Sequence, residues 1–262
     1  MYNDNNTGNY FEMQRSNCKN YIIPFIQEKK NIISDTRILE TGCGTAGVLA
    51  AFLEAGCQGA GVDINENSIN YAKRRLADHK NIILITKDIY KIDLEKDLHG
   101  KFDIIVLKDV IEHIPNQEKL FTALKNFLCS DGVIFFGFPP WQMPFGGHQQ
   151  VLSSRVLSHA PYLHLLPMPI YKKVMRLFNN YSEEHIQLKK TGLSIERFEQ
   201  ITKDTGYEII NRQFHLINPI YQYRYGIKMR KQSKYLSSIP YLRNFITTSV
   251  FYLIKPLNHK QQ

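Results

Sequence analysis

The 262-residue sequence predicts an α/β fold, a mostly parallel sheet with helices on both faces. Three observations carry the prediction. Five short apolar runs, at 37–40, 59–64, 81–89, 102–107 and 133–138, alternate with segments whose apolar residues recur at helical spacing. The first run leads into the glycine-rich turn Gly42-Cys43-Gly44-Thr45-Ala46-Gly47, and the next three each end beside an acid, Asp63, Asp88 or Asp109. Two later apolar runs, 207–210 and 245–254, read as further strands and bring the expected sheet to seven.

The elements follow in order. Residues 1–17 are polar and rich in Asn and are expected to be a mobile start that folds over a ligand. Over 18–30, Tyr21, Ile22, Phe25 and Ile26 recur at helical spacing with Pro24 near the first turn, which predicts an amphipathic helix. In the first strand Ile38 and Leu39 suit burial, and Gly42 and Gly44 permit backbone conformations and close approaches that a Cβ obstructs. Helix 48–55 ends at Gly56, and the second strand ends in Asp63, 21 residues after Gly42. One strand, one helix and one return bring Asp63 beside the glycine turn, where it can accept from ribose hydroxyls or cap helix 65–76. Helix 117–128 and the Asp131-Gly132 turn then lead into the fifth strand.

Glu40, just before the first glycine, separates this turn from a dinucleotide site. A carboxylate suits a cationic ligand and does little for a phosphate. Glu40-x-Gly42-x-Gly44 resembles the first motif of the class I S-adenosylmethionine-dependent methyltransferases, with Ala46 in place of the third glycine and Gly47 one position late. Phe102-Asp103-Ile104-Ile105-Val106, followed by Lys108-Asp109 and Glu112-His113-Ile114, is similar to the same family's fourth strand and turn. The resemblance implies a Rossmann-like fold over residues 18–256 and S-adenosylmethionine as cofactor. It implies that Glu40, Gly42 and Gly44 hold the methionine end, Asp63 with Ile64 the ribose side, and Asp88 with Ile89 the adenine. Lys108 and Asp109 would border the methyl group, Asp109 as a candidate catalytic residue. Asp88 also reads as a turn former, and Glu112 and His113 as residues that fix the turn.

Residues 141–190 exceed what a crossover needs and are dense in Pro, His, Tyr and Met, which predicts a helical substrate cap inserted after the fifth strand. Residues 18–140 then form the cofactor-binding core, completed by 191–262. Pro139-Pro140-Trp141 resembles the mark of methylases of exocyclic amines on bases, but those carry it after the fourth strand, so that reading is rejected. Within the cap, His148 is the first candidate for a general base, a neutral His being suited to that role near pH 7. Trp141, Phe145 and Tyr162 read either as aromatic walls for an acceptor or as ordinary core.

No uncharged apolar run approaches a membrane span, the polar start lacks signal-peptide character, and Cys18, Cys43, Cys57 and Cys129 show no metal-ligand spacing. These features predict a reduced cytoplasmic chain without a structural metal. The net charge of +9 is concentrated at the end, with nine Lys or Arg and no acid from Asn211 onward. That stretch is either a solvated surface or a contact for an anionic partner. The expected function is methyl transfer to a small or medium-sized acceptor at oxygen or nitrogen. The alternatives are an RNA or protein methyltransferase that grips its acceptor with the basic end, and a non-catalytic S-adenosylmethionine-binding regulator.

Overall fold

The computed structural model describes residues 4–147, 149 and 152–257. Strands β1 (Arg37–Thr41), β2 (Gln58–Asp63), β3 (Ile82–Thr86), β4 (Phe102–Lys108) and β5 (Leu128–Phe138) are parallel. β6 (Tyr207–Ile217), the two-residue β7 (Arg230–Lys231) and β8 (Ser249–Pro256) complete one sheet in the order β3-β2-β1-β4-β5-β8-β6-β7. β8 lies antiparallel between β5 and β6, so β6 runs parallel to β5 and the carboxyl ends of β1 to β6 share one edge. The expected seven strands are thus joined by an eighth at the far edge, where Lys231 and Arg230 pair with His215 and Ile217.

Two cores flank the sheet. Ile38 and Leu39 are both fully buried but belong to opposite faces, because successive side chains of a strand alternate. The Ile38 face is covered by α1 (Asp4–Asn17), α2 (Ile23–Gln27), α3 (Gly47–Glu54) and α4 (Glu66–Arg75). The Leu39 face is covered by α5 (Leu94–Leu98), α6 (Gln117–Leu124) and, from beyond the cap, α10 (Ile195–Asp204). A strand covered on both sides reads as a continuous apolar run, which is why these strands are visible in the sequence.

The polar start, expected to be mobile, is helical from Asp4 to Asn17. Its buried positions Thr7, Phe11, Gln14 and Asn17 follow helical spacing, but only Phe11 is large and apolar, so the hydrophobic signal is weak. The single helix expected over 18–30 is divided into a π turn (Cys18–Ile22) and α2. Pro24 has no N–H to offer the preceding turn, and the helical ladder widens just ahead of it.

Between β5 and α10 the chain forms α7 (Arg155–His159), α8 (Met168–Leu177) and α9 (Glu183–Thr191) around a separate core of Leu152, Leu157, Leu163, Tyr171, Met175 and Ile186. After β6 come α11 (Tyr221–Tyr225), β7, α12 (Lys234–Ser237) and α13 (Leu242–Ile246). The last strand begins at Ser249, not at residue 245, because Leu242–Ile246 winds into α13.

Candidate active site

At the carboxyl edge of β1 the two motif glycines have different tasks. Gly42 has φ 69°, and a Cβ there would stand 2.6 Å from Val110 Cγ2, so the turn passes under the loop after β4 only without a side chain. Gly44 has φ 50°, and a Cβ there would meet nothing within 4 Å, so the space above it is open to a ligand. Ala46 takes the left-handed conformation as well, at φ 60°. As the residue ahead of α3 it offers no capping side chain, and the Glu40 carboxylate takes over by accepting from Leu49 N at 3.0 Å. Burial holds the Glu40 carboxyl well above the usual carboxylate range; the Leu49 bond opposes this and the Asp63 charge adds to it. Glu40 therefore lies beneath the turn as a brace, with no cation among the described residues on its carboxylate.

Asp63 closes over the same turn. One oxygen accepts from Gly44 N at 2.7 Å and the other from Asn65 N at 2.8 Å. A carboxylate offers about four lone-pair sites, so acceptor capacity remains for ribose hydroxyls. Ile64 beside it is 78% exposed, an apolar side chain available to the flat face of a base. Asp88 caps a 3-10 turn through Tyr90 N at 3.0 Å, and Ile89 is buried. Gly42, Gly44, Asp63 and Ile64 thus lie together at the carboxyl edge of β1 and β2 with Glu40 beneath them, and Asp88 follows the adjoining β3. A ligand with a cationic end and a nucleoside end fits this arrangement.

The end of β4 carries a buried charge cluster. The Lys108 ammonium pairs with the Asp109 carboxylate, the Lys108 side chain being almost fully enclosed and that of Asp109 one-third exposed. Asp109 sits in the left-handed region at φ 57°, and its N–H donates to Gly137 O at 2.7 Å. Gly137 makes room for the lysine, since a Cβ there would be 2.8 Å from Lys108 Cδ. Glu112 is buried, and its carboxyl is pushed up to about 8 by burial and by the Asp109 charge, against its own backbone N–H and the pull of Lys108.

Sequence reasoning missed several buried polar groups on β6, β8 and α1. His215 on β6 is fully buried and pushed down to about 3 by burial and by the Lys231 and Lys108 charges, against a backbone hydrogen bond to Ser249, and its Nε2 lies 2.7 Å from the Gln213 amide nitrogen. Across the pair, Ser249 Oγ is unpartnered. From α1, Gln14 donates to the Tyr10 hydroxyl at 2.8 Å, and both amide atoms of buried Asn17 are unpartnered. Tyr10 is 46% exposed, and the Asp109 and Glu40 charges push its phenol up, which places α1 beside both motifs. The polar alternation Gln213-x-His215 in a late strand is a signal for part of this set; Asn17 leaves none.

The cap residues gather elsewhere. Trp141 N donates to Leu193 O at 2.8 Å, and Trp141 O lies 2.6 Å from His164 Nε2, which fixes the proton on that nitrogen. Burial pushes His164 down to about 4, and Lys189 lies 5.7 Å from the Trp141 ring. Phe145 is partly exposed, and Tyr162 donates to Phe245 O at 3.4 Å. None of Trp141, Phe145 and Tyr162 meets the glycine turn in a described hydrogen bond or ring contact. His148 lies outside the described residues. Three surface clefts of about 490, 500 and 570 Å³ open at the amino ends of the strands, the edge opposite the glycine turn.

Residues 12–211 match a family described as a methyltransferase domain. Over 121 residues the chain is 26% identical to a ubiquinone biosynthesis O-methyltransferase of Actinobacillus pleuropneumoniae serotype 7, covering 44% of this chain and 50% of that protein. The chain thus spans about half the length of this curated relative and of others with the same name. A malonyl-acyl-carrier-protein O-methyltransferase of Halalkalibacterium halodurans is 21% identical over 220 residues, covering 78% and 81%. Among solved structures, an S-adenosylmethionine-dependent methyltransferase from Clostridium acetobutylicum shares the fold with a TM-score of 0.56 at 15% identity, over 93% of this chain and 92% of that one.

Proposed function

This chain belongs to the methyltransferase-domain family with the class I S-adenosylmethionine-dependent fold, and from that premise we propose that it methylates a small or medium-sized acceptor at oxygen or nitrogen. One observation carries the reading: the open glycine turn closed by Asp63 lies at the same sheet edge as the Lys108–Asp109 pair. Bound S-adenosylmethionine supplies an electrophilic methyl group on a sulfonium. Glu40 and Asp63 favour its cationic and ribose parts, and Ile64, Asp88 and Ile89 receive the adenine. Asp109 orients the acceptor and takes its proton, while Lys108 balances the charge. Alignment of acceptor and methyl group supplies much of the acceleration.

His215 and Ser249, paired across β6 and β8 and near Lys108, are placed on the acceptor side, where a polar molecule supplies hydrogen bonds. The O-methyltransferase names of the relatives favour oxygen as the acceptor atom. The four free cysteines fit a reducing, cytoplasmic compartment.

The test is transfer of label from methyl-labelled S-adenosylmethionine across a panel of phenols, carboxylic acids and amines. Label on a small acceptor, lost in Asp109→Ala at unchanged cofactor affinity, is the expected result. Tight cofactor binding with no transfer across the panel would overturn the reading in favour of a binding protein.

A further inference from the structure

α13 is built inside out. Its polar residues are the buried ones: Arg243 is 6% exposed and bonds Glu196 at 2.8 Å and Glu199 at 2.7 Å. Asn244, 1% exposed, accepts from Ile195 N at 2.8 Å and donates to Glu196 at 2.5 Å. The large apolar residues Leu242 and Phe245 of α13, and those of α12 and the turn between the two helices, face outward instead. Tyr235 is 86% exposed, Tyr241 72%, and Leu236, Ile239, Leu242 and Phe245 between 38% and 47%. Scattered exposed leucines need no explanation, but six large apolar side chains within eleven residues, on a segment pinned from beneath by two carboxylates, form a contact face.

The same excursion carries the cations. Lys228, Arg230, Lys231 and Lys234 are exposed and enter no ion pair among the described residues, and no acid occurs from Asn211 to the end of the chain. Tyrosines offer an apolar ring and a hydroxyl that stays wet, aliphatic tips suit the boundary of acyl chains, and unpaired cations suit anionic headgroups. A nucleic acid would use the tyrosines and the cations but gains little from Leu236, Ile239 and Leu242. The excursion leaves β6 at its carboxyl end and returns at the start of β8, so it stands at the same sheet edge as the glycine turn. Tyr162 of the cap reaches it through Phe245 O.

We propose that the α12–α13 excursion docks this protein on the surface of an anionic lipid bilayer, with the carboxyl edge of the sheet turned towards it. Co-sedimentation of the full chain with phosphatidylcholine–phosphatidylglycerol vesicles, and with phosphatidylcholine vesicles alone, tests this. Binding to the anionic vesicles only, weakening with salt, is expected. Tyr235→Ser with Leu242→Ser, and separately Lys231→Glu with Lys234→Glu, should each lower partitioning by about tenfold or more at an unchanged thermal midpoint. Lys73→Glu on α4 should leave it unchanged. No binding to anionic vesicles, or binding that both double variants retain, overturns the proposal. So does salt-sensitive binding of tRNA, or capture of a protein through these residues, without vesicle binding.

Discussion

Asp63 spends both carboxylate oxygens on the backbone around the glycine turn, so its removal loosens the turn and takes away the ribose acceptor together. Asp63→Ala should cost about 1.5–3 kcal/mol of S-adenosylmethionine affinity by calorimetry, the range of a charge-assisted hydrogen bond. Glu40 gives a pH signature. Burial holds its carboxyl well above the usual carboxylate range, and a nearby cation favours the ionised form. Cofactor binding should then release a proton and tighten as pH rises above the usual carboxylate range, an effect absent in Glu40→Gln and measured in buffers of different ionisation heat. Glu112 works on stability: its folded value of about 8 exceeds the ordinary 4.5, so folding takes up a proton between them. Stability should fall as pH rises through that window, by up to roughly 1.4 kcal/mol per pH unit, and denaturant titrations of Glu112→Gln should lack that decline. The sequence announces Glu40 and Asp63 by spacing alone. Glu40 as the missing cap of α3 was hidden, because it depends on a contact nine residues away that exists only once the turn has closed.

The parallel strands were legible because burial on both faces writes a continuous apolar run, and Asp63 fell where strand, helix and return must bring it. α1 was not, because a single Phe11 anchors it while the rest of its buried face is polar. Length alone marked residues 141–190 as an insertion, but its inner partners were not legible: Trp141, which reads either as an acceptor wall or as core, is held by Leu193, His164 and Lys189. Gly192, between α9 and α10, is the joint on which this rests, since a Cβ there would come within 2.3 Å of the Trp141 ring. Gly192→Ala should therefore lower unfolding free energy by about 1–3 kcal/mol through overpacking, read as a drop in thermal midpoint.

The molecule joins a large two-sided sheet to a cap whose core is six buried side chains. So small a core opens at lower free energy than the sheet, and amides of α8 should exchange with deuterium at least about tenfold faster than those of β4 and β5. Comparable protection would mean that the cap opens only with the whole. At the other end of the chain, Gly47 begins α3 without a side chain, because a Cβ there would stand 2.5 Å from Phe11 O. α1 is thereby laid directly on the glycine turn, and Arg15 of α1 with Lys19 of the following π turn holds this helical segment to Glu54 of α3. Trypsin cuts after both basic residues, and each cut requires this helix to lift away. The lifetime of those two peptide bonds in a limited digest becomes a clock for occupancy of the turn, lengthening as the ligand saturates it.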